Sequence, residues 1–264
     1  MVALTFLLFA LAGLGAAFAL LWALCRWMDN YSFVDAAAVL AVGAVASFYA
    51  WYGPGWFLRS FTIAAMAVLW SVRLGLHLFT RTMREHPAEA ERYRRRREHA
   101  EGAFHLRMFG VFQGHAVIVV LLSLPLLLPS LNRGVNFHGL EIAGVVIWFI
   151  GLYGESLADG QLAAFQRDPA NRSRVCEAGL WHFSRHPNYF FDWLIWIGFA
   201  VFALASPHGW LGLVAPAIVL QRLLGEAGIP AIERQALHSA GDAYRRYQQT
   251  TSAFVPWLRR KVKD

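Results

Sequence analysis

The chain has 264 residues, 57% of them hydrophobic and 16% charged, with a formal net charge of +7. Soluble domains carry nearer about 25% charged residues, so the composition excludes an ordinary water-soluble globule. An aromatic content of 15% excludes a disordered chain, and two cysteines, Cys25 and Cys176, exclude a disulfide scaffold. The basic excess does not read as a nucleic-acid surface. Of the 24 Lys and Arg, eight lie in 79–107, four in 160–186 and eight in 222–264. Apolar stretches separate these patches, which is the charge pattern of loops between membrane spans.

A hydrocarbon core about 30 Å thick takes about 20 helical residues to cross. The apolar runs predict seven spans, at 3–25, 34–52, 56–78, 109–130, 139–159, 189–206 and 208–227, in one integral membrane domain over 1–264. The first has no basic leader and too long an apolar run for a cleaved signal, so it reads as an anchor. Ser32-Phe33-Val34-Asp35 reads as a capping motif opening the second span. Gly53-Pro54-Gly55 reads as the tight turn that follows it. With the N-terminus outside and the C-terminus cytoplasmic, the outer loops hold only Arg59 and Arg133, the orientation that positive loops select. Arg81, Arg84, Arg92 and Arg94 to Arg97 then form an inner loop expected to lie on anionic lipid. In the fourth span, Gln113 and His115 read as interhelical hydrogen-bonding groups, and Gly110-x3-Gly114 as a helix-packing signal.

The chemistry concentrates in the second half. Glu155 and Asp159 are four apart and share one helix face. They read either as catalytic carboxylates or as ion-pair partners of Arg167, Arg172 or Arg185. Pro187 presets a first helical turn, which gathers Arg185, His186 and Asn188 at a helix start. Tyr189, Asp192, Trp193 and Trp196 continue along one face, and the tail adds Glu233, Tyr244, Tyr247 and Phe254-Val255-Pro256-Trp257. Such a cup of Arg, Asn and Tyr suits a phosphate-bearing cofactor whose reactive end points into the membrane. The chain carries no GxGxxG after a strand, no Walker lysine, no GxSxG and no HExxH, and no metal site is expected.

The motifs Glu155-x3-Asp159-x-Gln161, Asp168-Pro169-x-Asn171-Arg172, Cys176-x2-Gly179-Leu180-Trp181 and Ser184-Arg185-His186-Pro187-Asn188-Tyr189-Phe190 resemble a bacterial membrane family catalogued as of unknown function. Gly228-Ile229-Pro230-x2-Glu233 and Tyr244-x2-Tyr247-x2-Thr250-Thr251-Ser252-x-Phe254-x-Pro256-Trp257 extend the match over about 150–257. That family is similar to steroid 5-alpha-reductases, and more distantly to sterol reductases and isoprenylcysteine carboxyl methyltransferases. The resemblance implies an all-α polytopic bundle in the bacterial inner membrane that holds NADPH and reduces a conjugated double bond in a steroid-like or other lipid. Asn171, Arg172, Arg185, His186, Asn188, Tyr189, Asp192, Glu233, Tyr244 and Tyr247 would line the cofactor. The proton donor is sought among Glu155, Asp159, Tyr189, Tyr49 and Tyr52, with Asp35 a further stand-in for the reductases' early-helix carboxylate. The alternatives are an S-adenosylmethionine-dependent membrane methyltransferase and a non-catalytic lipid-binding protein.

Overall fold

A computed structural model describes residues 1–98, 100, 102–171 and 174–260. Among them the regular structure is helical: α1 Val2–Trp27, α2 Phe33–Tyr52, α3 Phe57–Glu85, α4 Glu91–Glu98, α5 Phe104–Leu122, α6 Leu124–Leu131, α7 Gly139–Arg167, α8 Pro187–Ala203, α9 Val214–Leu224 and α10 Ile229–Thr250. Six stretches are long and apolar enough to cross a membrane: α1, α2, α3, α5, α7 and the run Gly209–Thr250. The expected span at 189–206 is α8, whose 17 residues are about the minimum for a crossing. The chain is an all-α, polytopic integral membrane protein. It divides into two compact units, one of Met1–His138 with Ala203–Val214, the other of Gly139–Phe202 with Ala215–Asp264.

In the first unit, α1 turns Leu4, Leu8, Phe9 and Leu20 outward, a face that lipid solvates without protein cover. Its polar contacts go to α5: Gln113 Nε2 donates to Gly15 O at 3.2 Å, and Trp22 Nε1 to His105 O at 2.9 Å. Gln113 is therefore the interhelical donor expected of it. His115 hydrogen-bonds Val111 O of its own helix at 2.8 Å through Nδ1, while its Nε2 faces Asp35 Oδ1 of α2 at 4.0 Å. Among the described residues no heavy atom stands within 4 Å of where a Cβ would sit on Gly110 or Gly114, so this glycine pair makes no packing seam among them. The expected span 109–130 is two helices, α5 and α6. Pro125 has no N–H for the carbonyl four residues back and its ring crowds that turn, so the chain breaks at Ser123.

Two further expectations change in this unit. Ser32 does not cap α2; its hydroxyl accepts the N–H of Ala90 at 2.9 Å. Asp35 takes an ion pair from Arg92 and a hydrogen bond from Tyr93 at 3.0 Å, while Arg97 pairs with Asp29 and Glu89. Arg92 and Arg97 thus tie α4 to Asp35, Asp29 and Glu89, while Arg81, Arg84, Arg94, Arg95 and Arg96 stay exposed. Arg59, read as a loop charge, is buried in α3. Its guanidinium lies over the Trp56 ring and donates to the carbonyls of Asn132, Gly134 and Asn136, which ties α3 to the chain that follows α6.

In the second unit, α7 and α8 meet backbone to backbone. A Cβ on Gly144 would stand 2.6 Å from Phe202 N, one on Gly151 2.8 Å from Ile195 N, and one on Gly198 2.6 Å from Trp148 N. Small residues permit this approach, and close packing is what holds helices together where lipid removes the hydrophobic drive. Trp193 Nε1 donates to Pro216 O at 3.1 Å, which ties α8 to α9. The helix α7 runs two turns past its expected end at 159. Beyond the turn at 225–228, α10 carries Glu233, Arg234, Asp242, Arg245 and Arg246, so it lies outside the apolar span that ends with α9.

Candidate functional site

Three sequence segments converge at the start of α8. The tail after α10 is lashed to residues 181–185: Arg185 N donates to Ser252 O (2.8 Å), Ser184 Oγ to Phe254 O (2.8 Å) and Trp257 N to Phe183 O (2.9 Å). The buried Tyr247 hydroxyl donates to the carbonyls of Trp181 and Ser184. The same loop is held to the end of α7, where Leu180 N donates to Gln161 Oε1 (2.9 Å) and Trp181 Nε1 to Ala158 O (3.0 Å). Gly179 makes this fit possible. Its φ of +61° is left-handed, and a Cβ there would collide with the Gln161 side chain.

At the centre lies Glu233. One carboxylate oxygen accepts from Arg185 Nε (2.7 Å) and His186 Nε2 (3.2 Å), and the other from Gln248 Nε2 (2.8 Å). Arg185 Nη1 also donates to Gln248 O (3.0 Å) and Thr251 O (2.6 Å). The pair is largely buried, with side chains 10% and 14% exposed. Burial opposes ionisation of Glu233, but the hydrogen bonds from His186 and Arg185, with the Arg185 charge, outweigh it and hold the carboxyl at about 2. Burial, then the Glu233 charge, raises the Tyr244 phenol, and burial raises that of Tyr247, so both act as donors at neutral pH. Because the folded value of Glu233 lies below its ordinary 4.5, its contribution is complete above about 4.5 and is lost as the pH falls through 2. Protease resistance of the tail should therefore persist at pH 5 and decline between pH 4 and pH 2, a decline that Glu233→Gln removes.

Beside this cluster, Asn188 Nδ2 donates to Asp159 Oδ1 at 3.2 Å. Its Oδ1 is buried and has no partner among the described residues. Tyr189 is half-buried and stacks on His186 with ring centroids 5.7 Å apart. An open cleft of about 450 Å³ adjoins the cluster, lined by Arg185, the chain from Gln248 to Ala253, Val255, Trp257, Leu258 and Arg260.

Residues 21–251 match the family described as "protein of unknown function (DUF1295)". The chain belongs to the DUF1295 family. It is 27% identical to an uncharacterized protein of Schizosaccharomyces pombe over 272 aligned positions, which cover 90% of this chain and 76% of that protein. No solved structure matches.

In this DUF1295 chain the expected residues fall into distinct roles. Arg185, His186 and Glu233 form one charged cluster, and Asn188 and Asp159 one hydrogen-bonded pair. The partner of Arg185 is Glu233, not the α7 carboxylates that the spacing offered. Asn171 Nδ2 donates to Phe165 O at 3.1 Å and so satisfies a carbonyl of the last turn of α7. Tyr247 is an anchor for the loop. Glu155 is buried in α7, one turn from Asp159, and Asp192 is half-buried in α8. Trp196 is fully buried, so it serves the core. Arg172 lies outside the described residues. Tyr49 and Tyr52 belong to the first unit, where Tyr49 is buried with its hydroxyl 3.0 Å from Ser123 Oγ and Tyr52 is exposed. Gln248 was missed by sequence reasoning; the only signal was its place directly after Tyr247 in the tail motif.

Proposed function

We propose that the protein is an NADPH-dependent reductase of a conjugated double bond in a membrane-soluble, steroid-like or other lipid, acting in the bacterial inner membrane. One observation carries this reading. Motif segments that resemble the 5-alpha-reductases, at 159–161, 180–188, 233 and 247–257, fold onto one another beside the Arg185–Glu233 pair and an open polar cleft.

The donor set fits a dinucleotide. The cleft offers guanidinium, amide and hydroxyl groups from Arg185, Gln248 and Thr250 to Ser252, and charge-assisted bonds of this kind suit phosphate oxygens. The unpartnered Asn188 Oδ1 is an acceptor suited to a carboxamide N–H. When bound, NADPH supplies a hydride for the β carbon of a conjugated carbonyl. The Glu233 carboxylate fixes Arg185 and His186 in place, and Gln248 completes its coordination. Tyr189, Asp159 and Glu155 are the nearby groups able to hold a proton for the developing enolate, with Tyr189 favoured by its stacking on His186. The proposed cytoplasmic side for the tail, taken from the Lys/Arg asymmetry, gives the cleft access to the nucleotide pool.

The purified protein in mild detergent should bind NADPH, and S-adenosylmethionine should not displace it. Arg172→Ala should weaken NADPH binding at least tenfold, since a charge-assisted hydrogen bond contributes about 1.5–3 kcal/mol. Binding of S-adenosylmethionine without binding of NADPH would replace the reductase reading with that of a methyltransferase.

A further inference from the structure

The tail leaves large apolar side chains uncovered outside the spans. Val255, Trp257 and Leu258 are 49%, 70% and 75% exposed. They are nevertheless fixed in place. The N–H of Trp257 donates to Phe183 O and that of Arg260 to Thr250 O, both at 2.9 Å. The Phe254 ring packs on Phe190 (5.7 Å) and Trp193 (5.9 Å) in the first two turns of α8. The helix α8 carries Asn188 and Asp192 in its first two turns and is apolar from Trp193 to Ala203, so the row, packed on Phe190 and Trp193, is pinned where the apolar stretch of the helix begins. In a spanning helix that level is the headgroup interface, where tryptophan concentrates. Exposed cations lie on the same C-terminal segment: Arg260 on the tail itself and Arg246 in the last turns of α10. Arg259, by contrast, is engaged by Glu177 and Thr251.

We propose that residues 254–260 form an interfacial membrane anchor. Trp257 and Leu258 insert among the headgroups of the adjacent leaflet, and Arg246 and Arg260 face anionic lipid. An aromatic and apolar row beside cations is the composition that binds an anionic bilayer surface. The anchor holds the tail, and with it one wall of the cleft, against the membrane. It follows from the membrane character of the chain and does not depend on which cofactor the cleft takes.

The test uses the full chain reconstituted into phosphatidylcholine–phosphatidylglycerol vesicles, with acyl chains either unlabelled or brominated close to the headgroup. The emission of wild type minus that of Trp257→Phe isolates Trp257. This difference should fall at least twofold in brominated vesicles and change little with aqueous iodide. Quenching by iodide with none by brominated lipid would overturn the proposal and place the row in water or against a protein partner. A second variant, Leu258→Cys carrying an environment-sensitive fluorophore, leaves Trp257 intact. Both native cysteines are buried and should escape labelling. A blue-shifted emission in vesicles is expected, and a water-like emission maximum would overturn the anchor.

Discussion

Glu233→Ala should lower the thermal stability of the detergent-solubilised protein by roughly 10 °C, because it strands Arg185 and His186 in a largely buried pocket. Breaking a buried pair by deleting one partner costs about 3–5 kcal/mol, most of it from the charge left behind. Glu233 accepts from Arg185, His186 and Gln248 at once, so no single neighbour can take its place. Glu233→Gln should fall between alanine and wild type: one carboxylate oxygen becomes an NH2 group, which would face donors. The paired replacement Arg185→Met with Glu233→Leu should recover part of the loss, since removing both charges leaves neither unpaired. Thermal unfolding of the four proteins checks the order. An alanine variant as stable as wild type would show that the cluster does not hold the tail.

Gly198→Val should prevent accumulation of folded protein or cut its stability severely. A Cβ at this position meets the Trp148 backbone on α7, with nitrogen at 2.6 Å and Cα at 2.8 Å. Neither backbone can rotate away, so the helices must separate along a seam that also includes Gly144 and Gly151. Overpacking of a well-packed contact costs about 1–3 kcal/mol and more where relief needs backbone movement. Gly160→Ala supplies the opposite sign. No heavy atom lies within 4 Å of its Cβ position, and alanine is favoured over glycine inside a helix by about 1 kcal/mol. Gly160→Ala should match or exceed wild type in thermal stability. Equal losses at both positions would mean that the seam is not the contact that matters.

The helices were legible because their apolar runs are long and their turns carry Gly and Pro. Pro125 was equally visible, yet hydropathy alone joined α5 to α6 across it, since a break between two apolar helices leaves the average unchanged. The capping reading of Ser32 failed because a partner 58 residues away, Ala90, takes the hydroxyl, and local spacing contains no information about it. Arg185 was singled out, but its partner was not: Glu233 lies 48 residues on, and several carboxylates were nearer in sequence. The glycine pair that spacing marked, Gly110 and Gly114, meets nothing among the described residues, whereas the working seam is shared by two helices and forms no motif on either. The division into two units was not legible, because the chain leaves the first unit at His138 and re-enters it at Ala203 without a linker composition to mark either crossing.

The central claim is hydride transfer from NADPH into a lipid. Its most direct measurement supplies the reconstituted protein with stereospecifically deuterated NADPH and a membrane lipid extract, and searches the products by mass spectrometry. The account predicts a lipid that has gained one deuterium from the cofactor and one proton from an acidic group, with oxidised cofactor formed in equal amount. Label retained entirely in the cofactor, while labelled S-adenosylmethionine passes its methyl group to a membrane substrate, would contradict it.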